Sequence, residues 1–318
     1  MHRRKFLDVA VKGVVAGALV PGTSVGSAFA AGSSDLKPPG LHLFSKLLQF
    51  LDYAEMAEAA AEVGLAGLDL TVRSGGHVDP ENFERDLPAA VSAIKAAGLS
   101  CEMISTNIVS TENPRDFELL ALARSLGVKS YRTGALRYNE HTHPMESVDQ
   151  HRQQLSALAK WNEELDITGM YQNHSGAGRL GAAIWDLYLV LRDLDPDHIG
   201  CQFDIRHAVT DGGLMWPDSF RMMKPYIRSI IFKDFRWGVV NGKWRVVSTP
   251  IGQGMVDFGR YFGLLQDAGI DVPVSLHLEY DLGGAEKGRR EPTRPESEVL
   301  AAIRQDIVTI NELWEETP

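Results

Sequence analysis

Eight short apolar runs alternate with longer amphipathic segments, and this alternation constrains the fold of the chain more than any other feature. The apolar runs are Leu41–Phe44, Gly67–Thr71, Ser100–Ser105, Ser130–Thr133, Thr168–Asn173, Gly200–Asp204, Ser229–Lys233 and Val272–Glu279. The segments with apolar residues at helical spacing are Ala54–Val63, Phe83–Ala97, Phe117–Ser125, Val148–Leu165, Ala182–Leu194, Pro217–Ile227, Phe258–Ala268 and Glu296–Leu313. Strands that alternate with helices form right-handed βαβ units around a parallel sheet. Eight such units predict a single closed (β/α)8 barrel.

Glycines separate several of the predicted elements. Gly64, Gly98, Gly127 and Gly269 fall where helices are predicted to end, and glycine adopts the left-handed closing conformation without a steric penalty. An open, doubly wound sheet is the structural alternative, but the first strand is not followed by a glycine-rich dinucleotide-binding fingerprint. Because no linker, repeat or low-complexity segment divides the chain, residues 31–318 are expected to form one barrel domain.

The first thirty residues have the features of an export signal. Arg3 and Arg4 precede a weakly apolar stretch, and Ala28-Phe29-Ala30 matches the A-x-A cleavage pattern. The arginine pair resembles the twin-arginine signal of bacteria, which predicts a periplasmic or secreted protein with no membrane anchor after cleavage. An ordinary cytoplasmic amino terminus and a retained anchor are the alternatives. No later segment is long and apolar enough to span a bilayer.

The charge of the chain argues against nucleic acid as a partner. The sequence has 32 Lys+Arg and 42 Asp+Glu, which gives a formal net charge of −10. A strongly acidic protein is repelled by phosphate backbones unless it concentrates cations in one groove. Both cysteines, Cys101 and Cys201, lie within apolar runs and are expected to pack as small hydrophobic side chains. The sequence leaves open whether the protein forms a homo-oligomer.

Polar side chains follow the later strands, at the end of a (β/α)8 barrel where active sites lie. Gln172 and His174 end the fifth run, and His277 and Glu279 end the eighth. Residues two apart in a strand face the same side, so each pair is expected to share the barrel interior. The sixth and seventh runs contribute Asp204, His207, Lys233 and Asp234. Four strands are therefore predicted to direct proton-transfer and metal-binding groups to one point.

Carboxylate, amide and imidazole groups in this arrangement are suited to one divalent cation, either Mn²⁺, Mg²⁺, Co²⁺ or Zn²⁺. Next to a hydroxy-carbonyl group, such a cation would polarise the carbonyl oxygen, and a nearby base could move the proton of the adjacent carbon. This chemistry is that of a sugar isomerase or epimerase. The same enediolate can expel a β-leaving group, so a sugar lyase or dehydratase is the alternative.

These residues resemble those of the xylose isomerase-like TIM barrels, the sugar phosphate isomerases and epimerases. That family also includes inosose and dehydroshikimate dehydratases and the endonuclease IV type of AP endonuclease. The resemblance covers roughly residues 41–315 and is carried by Asp204-x-x-His207, Lys233-Asp234, the turn Gly252–Asp257 and Glu279. In typical members a Glu, an Asp, a His and a Glu end strands five to eight and hold the metal. The resemblance implies that Asp204 and Glu279 are metal ligands.

Two positions depart from the family pattern. Gln172 stands in place of the Glu and Ile231 in place of the His, and an amide cannot act as a general base. The resemblance therefore implies a rebuilt site. Its expected metal ligands are Gln172, Asp204, His207 and Glu279, and its expected catalytic residues are His174 as the base, Glu279 and Lys233.

Structural roles are the alternatives for the same residues. Asp204 could cap the following helix, and Lys233 or Arg132 could neutralise Glu279 instead of stabilising an enolate oxygen. His174 and His277 could be hydrogen-bonded core histidines. Asp257 is expected to cap the next helix.

Substrate binding is assigned to the loops. Asn241-Gly242 between two apolar segments predicts a type I′ hairpin after the seventh strand. The expected substrate-binding residues are Arg132, His77, Asp234, Trp237 and His277, with Arg73, Lys46 and His42 as further candidates. A neutral sugar, an oxidised sugar or a glycoside is expected rather than a sugar phosphate. A periplasmic sugar-binding module without catalysis, and the endonuclease branch, are the rival classes.

Overall fold

A computed structural model of the protein describes residues 37–317, and eight parallel strands of this region close into a barrel. The ten strands, β1 to β10 in chain order, are Leu41–Phe44, Gly67–Thr71, Ser100–Ser105, Ser130–Arg132, Thr168–Gln172, Ile199–Asp204, Ile227–Phe232, Asp234–Val240, Lys243–Thr249 and Val274–Leu276. Around the barrel the order is β1-β10-β7-β6-β5-β4-β3-β2. The predicted (β/α)8 barrel is confirmed. The predicted export signal lies outside the described residues.

Helices follow the barrel strands. In the described chain the α-helices, α1 to α9, are Tyr53–Glu62, Phe83–Ala96, Pro114–Ser125, Pro144–Leu165, Trp185–Leu191, Ile205–Gly212, Trp216–Met223, Phe258–Ala268 and Glu296–Glu315. Helices α3 and α4 begin three and four residues earlier than the apolar pattern predicts, because capping residues start them before the first apolar position. The side chain of Asn113 caps α3, and His143 forms a capping box with Glu146 at α4.

The apolar pattern did not predict helix α6, although Asp204 was a candidate cap for a helix at this position. It begins directly at the end of β6, where the Oδ1 atom of Asp204 accepts a hydrogen bond from the backbone N–H of His207 at 3.1 Å. Its eight residues are too few to produce a clear helical repeat of apolar positions. As a consequence, Asp204 and His207 are held together by the start of one helix.

The last barrel strand is shorter than predicted. Only Val274–Leu276 pairs with its neighbours, whereas the apolar run extends to Glu279. The backbone N–H of His277 still bonds to the carbonyl oxygen of Phe232 at 3.0 Å. The segment beyond the strand therefore continues past the carboxyl end of the barrel strands and places Glu279 there.

The barrel interior contains a layer of buried polar side chains. Asp69 on β2 accepts hydrogen bonds of 2.8 Å from Ser105 on β3 and from Ser275 on β10. Burial raises the pKa of Asp69, and the charge of Arg132 and the two serines oppose that shift. These bonds connect three strands and place Ser275 directly beside His277.

Strands β8 and β9 form a separate antiparallel hairpin after β7. Asn241 and Gly242 occupy its two-residue turn with φ angles of 51° and 73°, the backbone of a type I′ turn. The predicted hairpin is confirmed. Trp237 and Trp244 on this hairpin are both exposed.

The cysteines and the helices agree with the analysis of the sequence. Cys101 and Cys201 are buried and unpaired, and burial raises the pKa of the Cys101 thiol to about 12. Neither thiol is therefore ionised near neutral pH. Within residues 37–317, no helix has the length and apolar character needed to cross a membrane.

Candidate active site

A pocket of about 240 Å³ opens at the carboxyl ends of the barrel strands. Six residues assigned to the site from the sequence line it, namely Arg132, Gln172, His174, Lys233, His277 and Glu279. Asp204 and His207 lie directly behind this surface and are buried. The structure therefore brings together the residues from strands five to eight that the sequence analysis assigned to catalysis and metal binding.

Lys233 occupies the centre of this group. Its Nζ atom lies 2.9 Å from Oδ2 of Asp204 and 3.1 Å from Oε1 of Glu279. Burial opposes ionisation of Glu279, but the charges of Lys233, Arg206 and Lys46 outweigh it and lower the pKa of this carboxyl to about 2. Glu279 is therefore a carboxylate near neutral pH, and Lys233 compensates two negative charges at once.

Gln172 connects Arg132 to Asp204. The guanidinium of Arg132 donates to Oε1 of Gln172 at 3.0 Å, and Nε2 of Gln172 donates to Oδ2 of Asp204 at 2.7 Å. A guanidinium only donates and a carboxylate only accepts, so these partners fix the orientation of the amide. Its oxygen faces Arg132, and its NH₂ group faces Asp204.

The backbone of Asp204 is held by Asn173, a residue that the sequence analysis did not select. The Oδ1 atom of Asn173 accepts from the backbone N–H of Asp204 at 2.7 Å, and its Nδ2 donates to the carbonyl oxygen of Asp204 at 3.0 Å. One carboxylate oxygen of Asp204 caps α6, the structural role that its sequence position suggested, and the other faces Lys233.

Two histidine rings stack beside Lys233. The centroids of His174 and His207 are 3.9 Å apart. Nδ1 of His207 accepts from Arg206 at 2.8 Å, which assigns the ring proton to Nε2, and Nε2 lies 3.4 Å from Oδ2 of Asp204. Nδ1 of His174 lies 3.0 Å from the carbonyl oxygen of Ser175. Since a carbonyl only accepts, Nδ1 of His174 carries the proton and Nε2 keeps a free lone pair.

The surroundings keep both rings neutral. Burial lowers the pKa of His174, and the positive charge of Lys233 lowers it further. The same two causes, in the same order, place the pKa of His207 well below its ordinary value. His174 therefore presents an unprotonated imidazole to the pocket.

His277 lines the pocket directly after β10. Its ring stacks on Phe44 with centroids 4.3 Å apart, and its Nε2 lies 3.0 Å from Oγ of Ser275. Ser275 uses its single proton on Asp69, so its oxygen accepts from His277. Burial, followed by the charges of Lys233 and Arg132, keeps the pKa of His277 well below its ordinary value.

Three predicted substrate-binding residues do not line the pocket. His77 is buried among Ser45, Thr71 and the carbonyl oxygen of Leu48, and burial lowers its pKa to about 4. Trp237 is exposed on the hairpin. Of the predicted set, Arg132 and His277 reach the pocket, and His77, Asp234 and Trp237 are placed elsewhere.

Asp234 has a structural role. It follows Lys233 directly, and its carboxylate accepts from the backbone N–H groups of Phe235, Gly254 and Val256 at 2.8, 2.8 and 3.1 Å. Gly254 lies so close that a Cβ atom there would overlap the carboxylate of Asp234 and the carbonyl oxygen of Phe235. The glycine turn singled out in the sequence therefore packs against the residue next to Lys233. Asp257 caps α8, as predicted.

Other pocket residues had little or no sequence signal. Phe44 and Arg179 line the pocket, but one ends an apolar strand and the other lies in a long loop. Asn107 also lines it, and its position two residues beyond the end of β3 could have indicated this. Lys46, a further candidate in the sequence, lines the pocket as well.

The donor set does not fit the predicted divalent cation. In residues 37–317, no group of three or more His, Cys, Asp or Glu side chains is placed to hold a metal ion. Lys233 already lies between the two carboxylates, and Gln172 turns its NH₂ group toward Asp204. Nδ1 of His207 is occupied by Arg206, and Ile231 is a buried apolar residue. A lysine ammonium therefore occupies the position between the expected acidic ligands.

A polar pocket at the carboxyl ends of the strands of a (β/α)8 barrel is the position at which barrel enzymes perform their chemistry. A family model described as a xylose isomerase-like TIM barrel matches residues 57–303. The chain therefore belongs to the xylose isomerase-like TIM barrel family, a family of enzymes. No curated protein is significantly similar to it in sequence.

Solved structures with the same fold share little sequence with this chain. The probable 3-DHS dehydratase AsbF of Bacillus anthracis is 17% identical, with a TM-score of 0.61 and coverage of 86% of this chain and 99% of that one. The 3-keto-D-glucoside 4-epimerase YcjR of E. coli is 12% identical, with a TM-score of 0.61 and coverage of 86% and 99%. A xylose isomerase-like TIM barrel protein of Mycobacterium smegmatis, in complex with magnesium, is 15% identical, with a TM-score of 0.55 and coverage of 80% and 89%.

Proposed function

We propose that the protein is a carbohydrate isomerase or epimerase that moves a proton at a carbon next to a carbonyl group. The observation that carries this proposal is a neutral His174, with a free Nε2 lone pair, in the same pocket as the Lys233 ammonium. Proteins with this fold include a 3-keto-D-glucoside 4-epimerase and a D-allulose 3-epimerase, which supports a carbohydrate as the substrate.

His174 is the general base in this mechanism. Nε2 of its neutral ring can accept a proton from the substrate carbon, and the hydrogen bond from Nδ1 to Ser175 holds the ring in that tautomer. Gln172 cannot act as a second base, and the low pKa of Glu279 makes that carboxylate a weak one. A single base that returns the proton to the neighbouring carbon, while the hydroxyl proton passes between the two enediolate oxygens, performs an isomerisation, so this outcome is favoured over two-base epimerisation.

Lys233 stabilises the negative charge that forms on the substrate oxygen. Its ammonium has three N–H donors, and two of them face Asp204 and Glu279. The third is available for the carbonyl oxygen, where a fixed positive charge in a buried site stabilises an enolate. One protein with this fold was solved in complex with magnesium. In this chain the donor set favours the lysine.

A sugar lyase is the second candidate. The same base and the same ammonium would form the enolate, which then expels hydroxide or an alkoxide from the β-carbon. The protonated His174 returns its proton to the leaving oxygen, so water or an alcohol is released. The solitary base supports this alternative, as does the fold shared with a probable 3-DHS dehydratase.

Solvent deuterium exchange tests the proposal. Free and oxidised sugars are incubated with the protein in D₂O, with and without Mn²⁺, and followed by NMR. We expect deuterium at the carbon next to the carbonyl, with or without the metal, and a rearranged sugar as the product. Loss of water or of an alcohol would indicate the lyase. Binding of sugars without exchange would indicate the non-catalytic module.

The matched variants are His174→Gln and His198→Gln. His198 lies just before β6, at the opposite end of the barrel, and does not line the pocket. His174→Gln should lower the exchange rate by roughly 10²–10⁴-fold, the usual contribution of a general base. Exchange at the wild-type rate in this variant would remove His174 from the mechanism, whereas His198→Gln should match the wild type.

A further inference from the structure

The pocket is strongly basic although the protein is acidic. Five basic side chains line it, Lys46, Arg73, Arg132, Arg179 and Lys233, against one acidic side chain, Glu279, among the described residues. The chain as a whole has a net charge of −10. Positive charge concentrated in a cleft of an acidic protein attracts anions.

Most of these cations have no carboxylate partner. Lys233 is paired with Asp204 and Glu279. Within residues 37–317, no Asp or Glu lies within 4.0 Å of the charged groups of Lys46, Arg73, Arg132 or Arg179. Arg132 is also largely buried, and its one side-chain hydrogen bond goes to the neutral amide of Gln172. Four unpaired cations in one small pocket leave room for an anionic ligand.

Three of the four surround one aromatic ring. The guanidinium carbons of Arg132 and Arg73 lie 5.0 and 5.3 Å from the centroid of Phe44, and Nζ of Lys46 lies 5.5 Å from it. The ring face gives each cation a weak attraction that compensates only part of their mutual repulsion. Burial and the charges of Lys233, Arg73 and Arg132 together lower the pKa of Lys46 to about 8, against the opposing charge of Glu279. This crowding is relieved when an anion binds.

The barrel topology places two of these cations, Lys46 and Arg73, across the pocket from the proposed base. Lys46 and Arg73 follow β1 and β2, which are neighbours in the sheet. His174 follows β5, the strand diametrically opposite β1 in the closed order of eight. A ligand that binds its charged group at Lys46 and Arg73 therefore extends toward His174.

We propose that the substrate is an acidic sugar whose carboxylate binds Lys46 and Arg73 on the β1–β2 side of the pocket, with its reacting carbon at His174. This inference rests on the proposed function for the role of His174 alone. A pocket of about 240 Å³ is smaller than the usual ~300–1,000 Å³ of sites for drug-sized ligands, which suits a single sugar unit. The planar fork of an arginine matches a carboxylate.

A phosphate group is less well matched to this subsite. In (β/α)8 barrels phosphate is held after strands seven and eight by backbone N–H groups at a helix start. Here the unpaired cations follow β1, β2, β4 and β5, and the start of α6 is already occupied by the carboxylate of Asp204. The positions of the cations therefore favour a carboxylate over a phosphate as the charged group of the ligand.

Calorimetric titration of the full chain tests the carboxylate. The probes are D-glucuronate, D-galacturonate and D-gluconate, compared with D-glucose, D-galactose and D-glucose 6-phosphate. We expect at least one acid to bind tenfold or more tightly than its neutral counterpart, with an affinity that falls as salt is added. No binding by any of the acids at millimolar concentration, or equal affinity for acid and neutral sugar, would overturn the proposal. A preference for the phosphate ester would overturn the choice of carboxylate.

The matched variants are Arg73→Gln and Arg236→Gln. Arg236 is exposed on the hairpin and does not line the pocket. Arg73→Gln should weaken acid binding by roughly tenfold or more and leave binding of the neutral sugar unchanged, whereas Arg236→Gln should change neither. An equal loss for both ligands would contradict the carboxylate contact. Binding is measured without turnover, so the two proposals can fail separately. Binding of an acidic sugar without deuterium exchange would refute the proposed function and still support the carboxylate subsite.

Discussion

At the residue scale, the Lys233 ammonium decides which ions the site accepts. It lies within 3.1 Å of two carboxylate oxygens, and removing it would leave both charges without compensation. We expect Lys233→Met to lower the free energy of unfolding by about 3–5 kcal/mol, as for other buried pairs that lose one partner. The variant should also gain affinity for Mn²⁺, because Asp204 and Glu279 then face a space that a cation can fill.

Manganese titration measured by calorimetry or by the Mn²⁺ EPR signal checks this prediction. The wild type should bind Mn²⁺ no more tightly than millimolar, and Lys233→Met at least tenfold more tightly. Lys46→Met is the control, because it removes a pocket lysine that has no carboxylate within 4.0 Å in the described chain. Micromolar binding by the wild type, which can be measured even if the variant fails to fold, would contradict the role given to Lys233.

The pH dependence of the site is set by two further residues. Lys46, with a pKa lowered to about 8, loses its charge as the pH rises through that value, so binding of an acidic sugar should weaken above pH 8. His174 has a pKa below its ordinary 6.5, so it stays neutral in mildly acidic solution and the exchange rate should fall only at lower pH. Calorimetry from about pH 5 to about pH 9.5 checks the loss of binding at high pH, and exchange kinetics over the same range check the loss of rate at low pH. Lys46→Met should abolish the pH dependence of binding above pH 8. If binding by this variant still weakened above pH 8, another group would be responsible.

At the element scale, close contact and not its own backbone conformation requires glycine at position 254, in the turn after the hairpin. A Cβ atom at position 254 would overlap Asp234 and the Phe235 carbonyl group. Gly254→Ala should therefore destabilise the protein by roughly 1–3 kcal/mol, the usual cost of overpacking. Gly263→Ala, within α8, is the matched control, since its Cβ would meet nothing closer than 3.7 Å and alanine favours helix. Thermal unfolding compares the two variants, and equal stability would refute the steric argument.

The elements of the barrel were predictable because each one buries a regular pattern of apolar residues. The hairpin was predictable for a local reason, the Asn241-Gly242 turn. The pattern failed where structure depends on capping, as at α6, whose start is fixed by Asp204 and not by an apolar repeat. The sequence offered Lys233 as a partner of Glu279, and the structure shows this contact. Nothing in the spacing of Asp204, Lys233 and Glu279 places the same ammonium against Asp204 as well, because that contact depends on side-chain conformations.

At the scale of the whole molecule, the distribution of charge separates the surface from the site. The acidic exterior would repel anions at long range. At short range the unpaired cations of the pocket dominate, and the pocket would bind an anion. Gln172 and Lys233 both contact Oδ2 of Asp204, and Ile231 is a buried apolar residue two positions before Lys233. The site is consistently built around fixed cations of the protein itself.

Export concerns the whole molecule as well. The residues that line the pocket are spread from Phe44 to Glu279, so the site exists only after the chain has folded. We propose that residues 1–30 are a twin-arginine signal, a type of signal that carries folded proteins across the membrane.

Replacing Arg3 and Arg4 together by lysine should keep the protein in the cytoplasm, whereas Lys5→Ala should leave export intact. Fractionation of bacterial cells followed by mass measurement of the amino terminus checks location and cleavage after Ala30. Export of the double variant at the wild-type level would assign the segment to another pathway, and an uncleaved chain in the membrane fraction would indicate a retained anchor.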